Sequence, residues 1–127
     1  MKHKVIVETG ILDSPQGHEL KAALIVANEY FKRDVTFLRQ GVHTTADIEC
    51  NGQKWEIKSP VGNGKKTIEN NLRNARKQSK NLIVDFSRMK LHQTKAIANI
   101  RFYLKNAPSQ FNKVIVITKT KKIIEIL

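Results

Sequence analysis

Thr45-Ala46-Asp47-Ile48-Glu49-Cys50-Asn51-Gly52-Gln53-Lys54-Trp55-Glu56-Ile57-Lys58 reads as two short alternating runs hinged at Asn51-Gly52. Both central positions of a type I′ turn need φ > 0, which Asn and Gly tolerate, so this pair is a strong local signal for a tight β-hairpin. The turn fixes a register. With Cys50 and Gln53 flanking it, Glu49 falls opposite Lys54, Ile48 opposite Trp55 and Asp47 opposite Glu56, with directly paired side chains about 5 Å apart. Strand side chains alternate, so Asp47, Glu49, Lys54, Glu56 and Lys58 share one surface. Ile48, Cys50, Trp55 and Ile57 line the other and can pack on a core.

Two carboxylates directly across a ladder repel unless something positive lies between them. A divalent cation suits that place. Oxygen ligands from Asp47 and Glu56, with the Ile57 carbonyl as a further donor, favour a hard ion, Mg²⁺ before Mn²⁺ or Zn²⁺. Lys58, two residues beyond Glu56, falls on the same face beside that ion. Alternating charge on a strand is also what an ordinary solvated face looks like. The combination of opposed acids, a neighbouring lysine and the basic segment that follows favours a site.

The 127 residues suffice for one domain with a real core and not for two. Lys and Arg number 23 against 11 Asp and Glu, a formal net charge of +12. Polyanions are the expected partners, because neutralising phosphates releases counterions. No apolar run approaches the roughly 18 residues that a membrane helix needs, and the apolar patch near Val5 is too short for a secretory signal. The single cysteine, Cys50, excludes an intrachain disulfide and a Cys-rich zinc site, which fits work in a reducing cytoplasm.

Residues 4 to 7 are expected to form a first strand. A helix should follow, N-capped by Ser14 with Pro15 at its first position, its apolar stripe Leu20, Ala23, Leu24, Ala27, Tyr30 and Phe31 running to about Arg33, with Glu19 in the second turn. Val35-Thr36-Phe37-Leu38 reads as a strand, and a loop containing His43 leads into the hairpin. After Lys58, Ser59 to Lys66 is irregular, its glycines allowing close backbone approach to a ligand. Thr67 is expected to cap a helix to about Lys80, with Ile68, Leu72, Ala75 and Ser79 on one face. The opposite face, with Lys65 and Lys66 before it, carries Arg73, Arg76 and Lys77, and these five basic residues read as a surface that tracks phosphates. Leu82–Phe86 reads as an interior strand, Gln93–Asn106 as a helix, and Lys113–Thr118 and Ile123–Ile126 as strands. The fold class is therefore α/β (α+β), a mixed central sheet flanked by helices.

The Asp47 and Glu56-Ile57-Lys58 elements resemble the metal-binding hairpin of the PD-(D/E)xK nuclease superfamily, with Ala46 where a proline often precedes the first acid. The resemblance implies a metal-dependent phosphodiesterase on a restriction-endonuclease-like core. Gly17-His18-Glu19-Leu20 looks like the first-helix element that supplies a further acid, which makes Glu19 a third metal ligand alongside Asp47 and Glu56. The run from Trp55-Glu56-Ile57-Lys58-Ser59-Pro60 through Gly62-Asn63-Gly64-Lys65-Lys66 and the helix to Asn81 looks like the C-terminal nuclease domain of contact-dependent growth inhibition toxins that cleave tRNA. That similarity covers about residues 15 to 126. By it, Gln78 matches a polar helix position facing the active site.

In that family the domain ends a much larger secreted protein, so a chain beginning at Met1 is expected to be an excised domain or a freestanding relative. The resemblance implies cleavage in the cytoplasm of a target cell. A toxin of this kind needs a neutralising immunity protein, and a charge of +12 predicts an acidic one. A DNA endonuclease of restriction or mobile-element type would share every catalytic residue. A nucleic-acid-binding module without catalysis is the remaining alternative, in which Asp47 and Glu56 merely balance local lysines.

Overall fold

A computed structural model describes residues 2–8, 17–38, 46–62, 64–107 and 110–127. Strand β1 (Val5–Val7) precedes helix α1 (Gly17–Val26), which widens into a π-helical turn over Ala27–Phe31 and stops at Lys32, where φ is 57°. Strands β2 (Val35–Phe37), β3 (Ile48–Cys50) and β4 (Gln53–Lys58) follow, then α2 (Lys65–Ala75), β5 (Asn81–Asp85), α3 (Gln93–Asn106), β6 (Lys113–Ile117) and β7 (Ile123–Glu125). The seven strands make one mixed sheet in sequential order. Strands β3 and β7 run against the rest, so β1, β2, β4, β5 and β6 all end at the same edge. This is the helix-flanked mixed sheet that the sequence predicts.

Both faces of the sheet are covered. Ala22, Ala23, Val26 and Ala27 of α1 and its extension pack with Trp55, Ile57, Ile83, Ile115 and Ile117. On the other face Ile68 and Leu72 of α2 and Ala96 and Ile100 of α3 pack with Leu82, Val84, Val114 and Val116. Burial on two sides explains why β5 and β6 are almost continuously apolar. Each large side chain fully buried here contributes roughly 1.5–3 kcal/mol. Tyr30 and Phe31 close one end of this core by edge-on contacts with the Trp55 ring, at centroid distances of 6.0 and 5.3 Å.

Several boundaries differ from the sequence reading for identifiable reasons. Leu24, placed on the buried stripe of α1, is 46% exposed, because small residues (Ala22, Ala23, Val26) bring that helix close to the sheet and set the buried face. Glu19 lies in the first turn of α1 rather than the second. Helix α2 starts at Lys65, with extended Gly64 as N-cap and no side-chain cap, so Thr67 lies inside it. It ends at Ala75 rather than Lys80. The segment beyond turns to place Ser79 Oγ and Asn81 Nδ2 on the Lys54 carbonyl, at 2.9 and 3.0 Å, and those bonds compete with continued helix. Ser14, Pro15, His43 and the Lys65 side chain lie outside what the structure describes.

The hairpin is as predicted: Ile48 pairs with Trp55, Glu49 with Lys54 and Cys50 with Gln53. Asn51 and Gly52 have φ of 53° and 80°, and Arg33 Nη1 reaches the Asn51 side-chain oxygen at 3.3 Å. Gly52→Ala is expected to destabilise the protein by about 1–2 kcal/mol, since any Cβ strains the left-handed region. Thermal unfolding measures this; an unchanged melting temperature would show that the turn does not depend on glycine.

Candidate functional site

The site begins where the hairpin ladder ends. One residue before β3, the Asp47 N–H donates to the Trp55 carbonyl at 3.0 Å. Its side chain reaches back across Glu56, Oδ2 accepting from the Ile57 N–H at 2.9 Å. Asp47 is thus fastened to β4 on both sides of Glu56, close enough for its charge to be felt at the Glu56 carboxyl. The juxtaposition expected from the register is present. Lys58, one step further along the same face, places Nζ 3.2 Å from Glu56 Oε2.

The sequence reading did not foresee the depth of this pair. Glu56 is 2% exposed, because β4 is an interior strand between β3 and β5 and α2 packs over it. Burial first, then the Asp47 charge, push the Glu56 pKa up to about 8 against the opposing pull of Lys58. Burial also raises Asp47; the Ile57 N–H and Lys58 hold it down, while Glu19 adds to the rise. Glu56 Oε1 has no hydrogen-bond partner. A buried acceptor left in this state is costly. Two close acids form a coupled pair that titrates as a unit.

Glu19 is near enough for its charge to be felt at Asp47. Among the described residues, however, no group of three or more His, Cys, Asp and Glu gathers in metal-binding range. The structure therefore brings together Asp47, Glu56 and Lys58, with Glu19 at the margin. Gln78 comes from a separate segment. It lies past the end of α2, in the turn that enters β5, with its N–H on the Ala75 carbonyl at 2.9 Å and its buried Oε1 unpartnered. Glu56 is level with Leu82, the second residue of β5, so this turn and the Glu56 carboxyl lie toward the same end of that strand.

The basic residues are spread along α2, with Lys65 and Lys66 at its start. Arg73, Arg76 and Lys77 are exposed, but a rise of 1.5 Å per residue carries Arg73 roughly 12 Å along the axis from Lys65. The glycine loop is not left open for a ligand at Gly62: its carbonyl accepts from the Lys90 N–H at 2.9 Å and it bridges to Met89. The sequence reading passed over Asp85 as a site residue and missed Ser87, Lys21, Lys119 and Lys121, which border the finishing edge of β5 and β6. The available signal was position, since ligands of open α/β sheets bind beyond the carboxyl ends of parallel strands.

The family model described as contact-dependent growth inhibition CdiA C-terminal domain matches residues 44–123, well over half of the chain. No curated protein matches it. A solved structure described as a CdiA-CT/CdiI toxin and immunity complex from Burkholderia pseudomallei superposes with a TM-score of 0.67 at 20% identity, covering 94% of this chain and 96% of that one. At that identity the likeness is one of fold.

Proposed function

The chain belongs to the contact-dependent growth inhibition CdiA C-terminal domain family, and from that premise we propose that it is a toxin nuclease of the PD-(D/E)xK type that hydrolyses phosphodiester bonds, with tRNA as its substrate. Fold and family alone do not give an activity. The observation that carries the reading is the pairing of half-buried Asp47 with buried Glu56, the Lys58 ammonium lying 3.2 Å from Glu56.

These residues fit a divalent cation. Asp47 and Glu56 are close enough for each to feel the other, and one buried Glu56 oxygen has no hydrogen-bond partner. Asp47 and Glu56 would hold the ion, Mg²⁺ by the preference of a hard cation for oxygen. When bound, such an ion acidifies water and offsets charge on the scissile phosphate. The rest falls to the chain itself. The Ile57 N–H fixes the Asp47 carboxylate. Glu56 anchors the Lys58 ammonium, whose fixed positive charge favours the transition state, in which negative charge builds on the phosphoryl oxygens. Lys65 and Lys66 lead the backbone of the substrate toward this point, and Arg73, Arg76 and Lys77 extend the basic track away from it.

The immunity protein of the related complex gives the second part of the reading. A chain of net charge +12 would be neutralised by an acidic partner of that kind, and it would act in the cytoplasm of a target cell. No described helix is long and apolar enough to cross a membrane.

Purified protein incubated with total tRNA and with plasmid DNA, each with Mg²⁺ or a chelator, tests the activity. Cleavage of tRNA with Mg²⁺ and none with chelator is expected. Cleavage of DNA alone would reassign the substrate, and persistence in chelator would remove the cation from the mechanism.

A further inference from the structure

We propose that a second cleft, on the α1 side of the same sheet, is a nucleotide pocket that seats one unstacked nucleotide of the RNA strand beside the bond to be cut. The proposal deepens the nuclease reading and rests on it for the identity of the strand. The cleft has a volume of about 520 Å³, within the few hundred to one thousand Å³ typical of small-molecule sites. Its floor is apolar, formed by Leu24 and Ile25 of α1 and Ile117 at the end of β6. Leu24, turned off the buried face of α1 and 46% exposed, is open to this cleft. Enzymes that extract a base from its stack receive it between apolar or aromatic surfaces, and sequence-specific readers of RNA favour unpaired nucleotides.

The rim supplies the charge that a base-binding hollow alone would not. Lys21 comes from α1, Arg88 from the turn after β5, and Lys119 and Lys121 from the turn after β6, so three separate segments converge. Among the described residues none of these four cations is paired with a carboxylate. The acid at the cleft, Asp85, is already engaged: it accepts from the Ser87 N–H and hydroxyl, both at 3.0 Å, and from Ser59 Oγ at 3.4 Å. Arg88 spends a guanidinium N–H on a ring nitrogen of His18, at 2.9 Å. A phosphate oxygen is a stronger acceptor for that donor than an imidazole nitrogen.

Position links the cleft to the chemistry. Strand alternation turns Glu56 and Lys58 toward the α2 face, with Leu82 and Val84, and turns Asp85 toward the α1 face, with Ile83 and Ile117. The Ser59–Asp85 bond spans the edge between the two, and Glu19, felt at Asp47, is next in sequence to His18 of the cleft. Glu56 is level with Leu82, three residues or roughly 10 Å before Asp85 along the strand, and neighbouring strands are about 4.8 Å apart, so a strand of RNA crossing the edge over Ser59 joins the carboxylates and the cleft within a few nucleotides.

The test separates binding from cleavage. In Glu56→Gln protein, each of the four nucleoside 5′-monophosphates and inorganic phosphate are titrated while chemical shifts are followed by NMR. Shifts at Leu24, Arg88 and Ile117, with a nucleotide bound at least about ten-fold more tightly than phosphate, are expected. In protein retaining Glu56, Arg88→Ala and Lys119→Ala should each raise KM for tRNA about ten-fold with kcat little changed. Phosphate binding as tightly as every nucleotide, or shifts confined to other surfaces, would overturn the pocket. Nucleotide binding at the cleft of a protein that cuts nothing would overturn the nuclease reading instead. Normal cleavage with KM unmoved in both variants would overturn the pocket and leave the nuclease.

Discussion

Glu56→Gln and Lys58→Ala should each lower the rate of tRNA cleavage by about 10²-fold or more while the protein remains folded, the scale on which loss of one preorganised charge is felt in a transition state. Glutamine keeps the size of Glu56 and removes its charge, so neither the packing of α2 over β4 nor the hairpin is disturbed. Lys58→Ala works differently. It leaves Glu56 without the ammonium 3.2 Å away, and because Lys58 is what holds the Glu56 pKa down, that acid is driven further toward its protonated form. The variant thus removes the cation aimed at the phosphate and, in the same step, one of the two charges available to a metal. Asp47→Asn retains an oxygen for the Ile57 N–H and loses only the charge, so it belongs to the same class. Single-turnover cleavage, with circular dichroism to confirm folding, measures all three. Rates within two-fold of the parent would mean that the acids only balance nearby lysines, and a binding module would be left.

The sequence carried the local geometry of this site and not its depth. Asn51-Gly52 determined the register because few dipeptides accept two consecutive positive φ angles, and the register in turn placed Asp47 against Glu56. Nothing in the alternation Lys54, Glu56, Lys58 distinguishes a solvated face from one roofed by a helix; the roof comes from α2 docking with its partners on β5, which no pattern within β4 announces. Helix α2 read as five residues too long because Arg76 to Lys80 contains no glycine or proline to stop it. Its end is set by tertiary hydrogen bonds to Lys54, and that shortening takes Gln78 off the helix. The second cleft was illegible for a related reason. Its walls come from Gly17–Ile25, Asp85–Arg88 and Ile117–Lys121, three segments that only the completed sheet brings together.

In buffer containing a chelator, the protein is expected to lose stability as pH rises from about 5 to about 8, and Glu56→Gln to remove most of that loss. The sign follows from where the proton sits. Unfolded, Glu56 has an ordinary pKa of 4.5; folded, burial and the Asp47 charge raise it to about 8. Between those values the native state retains a proton that the unfolded chain has released, so the unfolded state gains on the native one with each pH unit. The slope approaches 1.4 kcal/mol per unit for one group, a few kcal/mol across the window, and Asp47, also raised, adds in the same direction. Above pH 8 both states are ionised at Glu56 and its contribution levels off. Urea unfolding at pH 5, 7 and 8.5 gives the comparison: the two proteins should be close at pH 5 and Glu56→Gln clearly the more stable at pH 8.5. This dependence is opposite to that of an acid stabilised by a salt bridge, which strengthens a protein as pH rises. A parent protein whose stability is flat or increases over the interval would therefore show that Lys58 outweighs burial, and that the pair is held ionised without any cation.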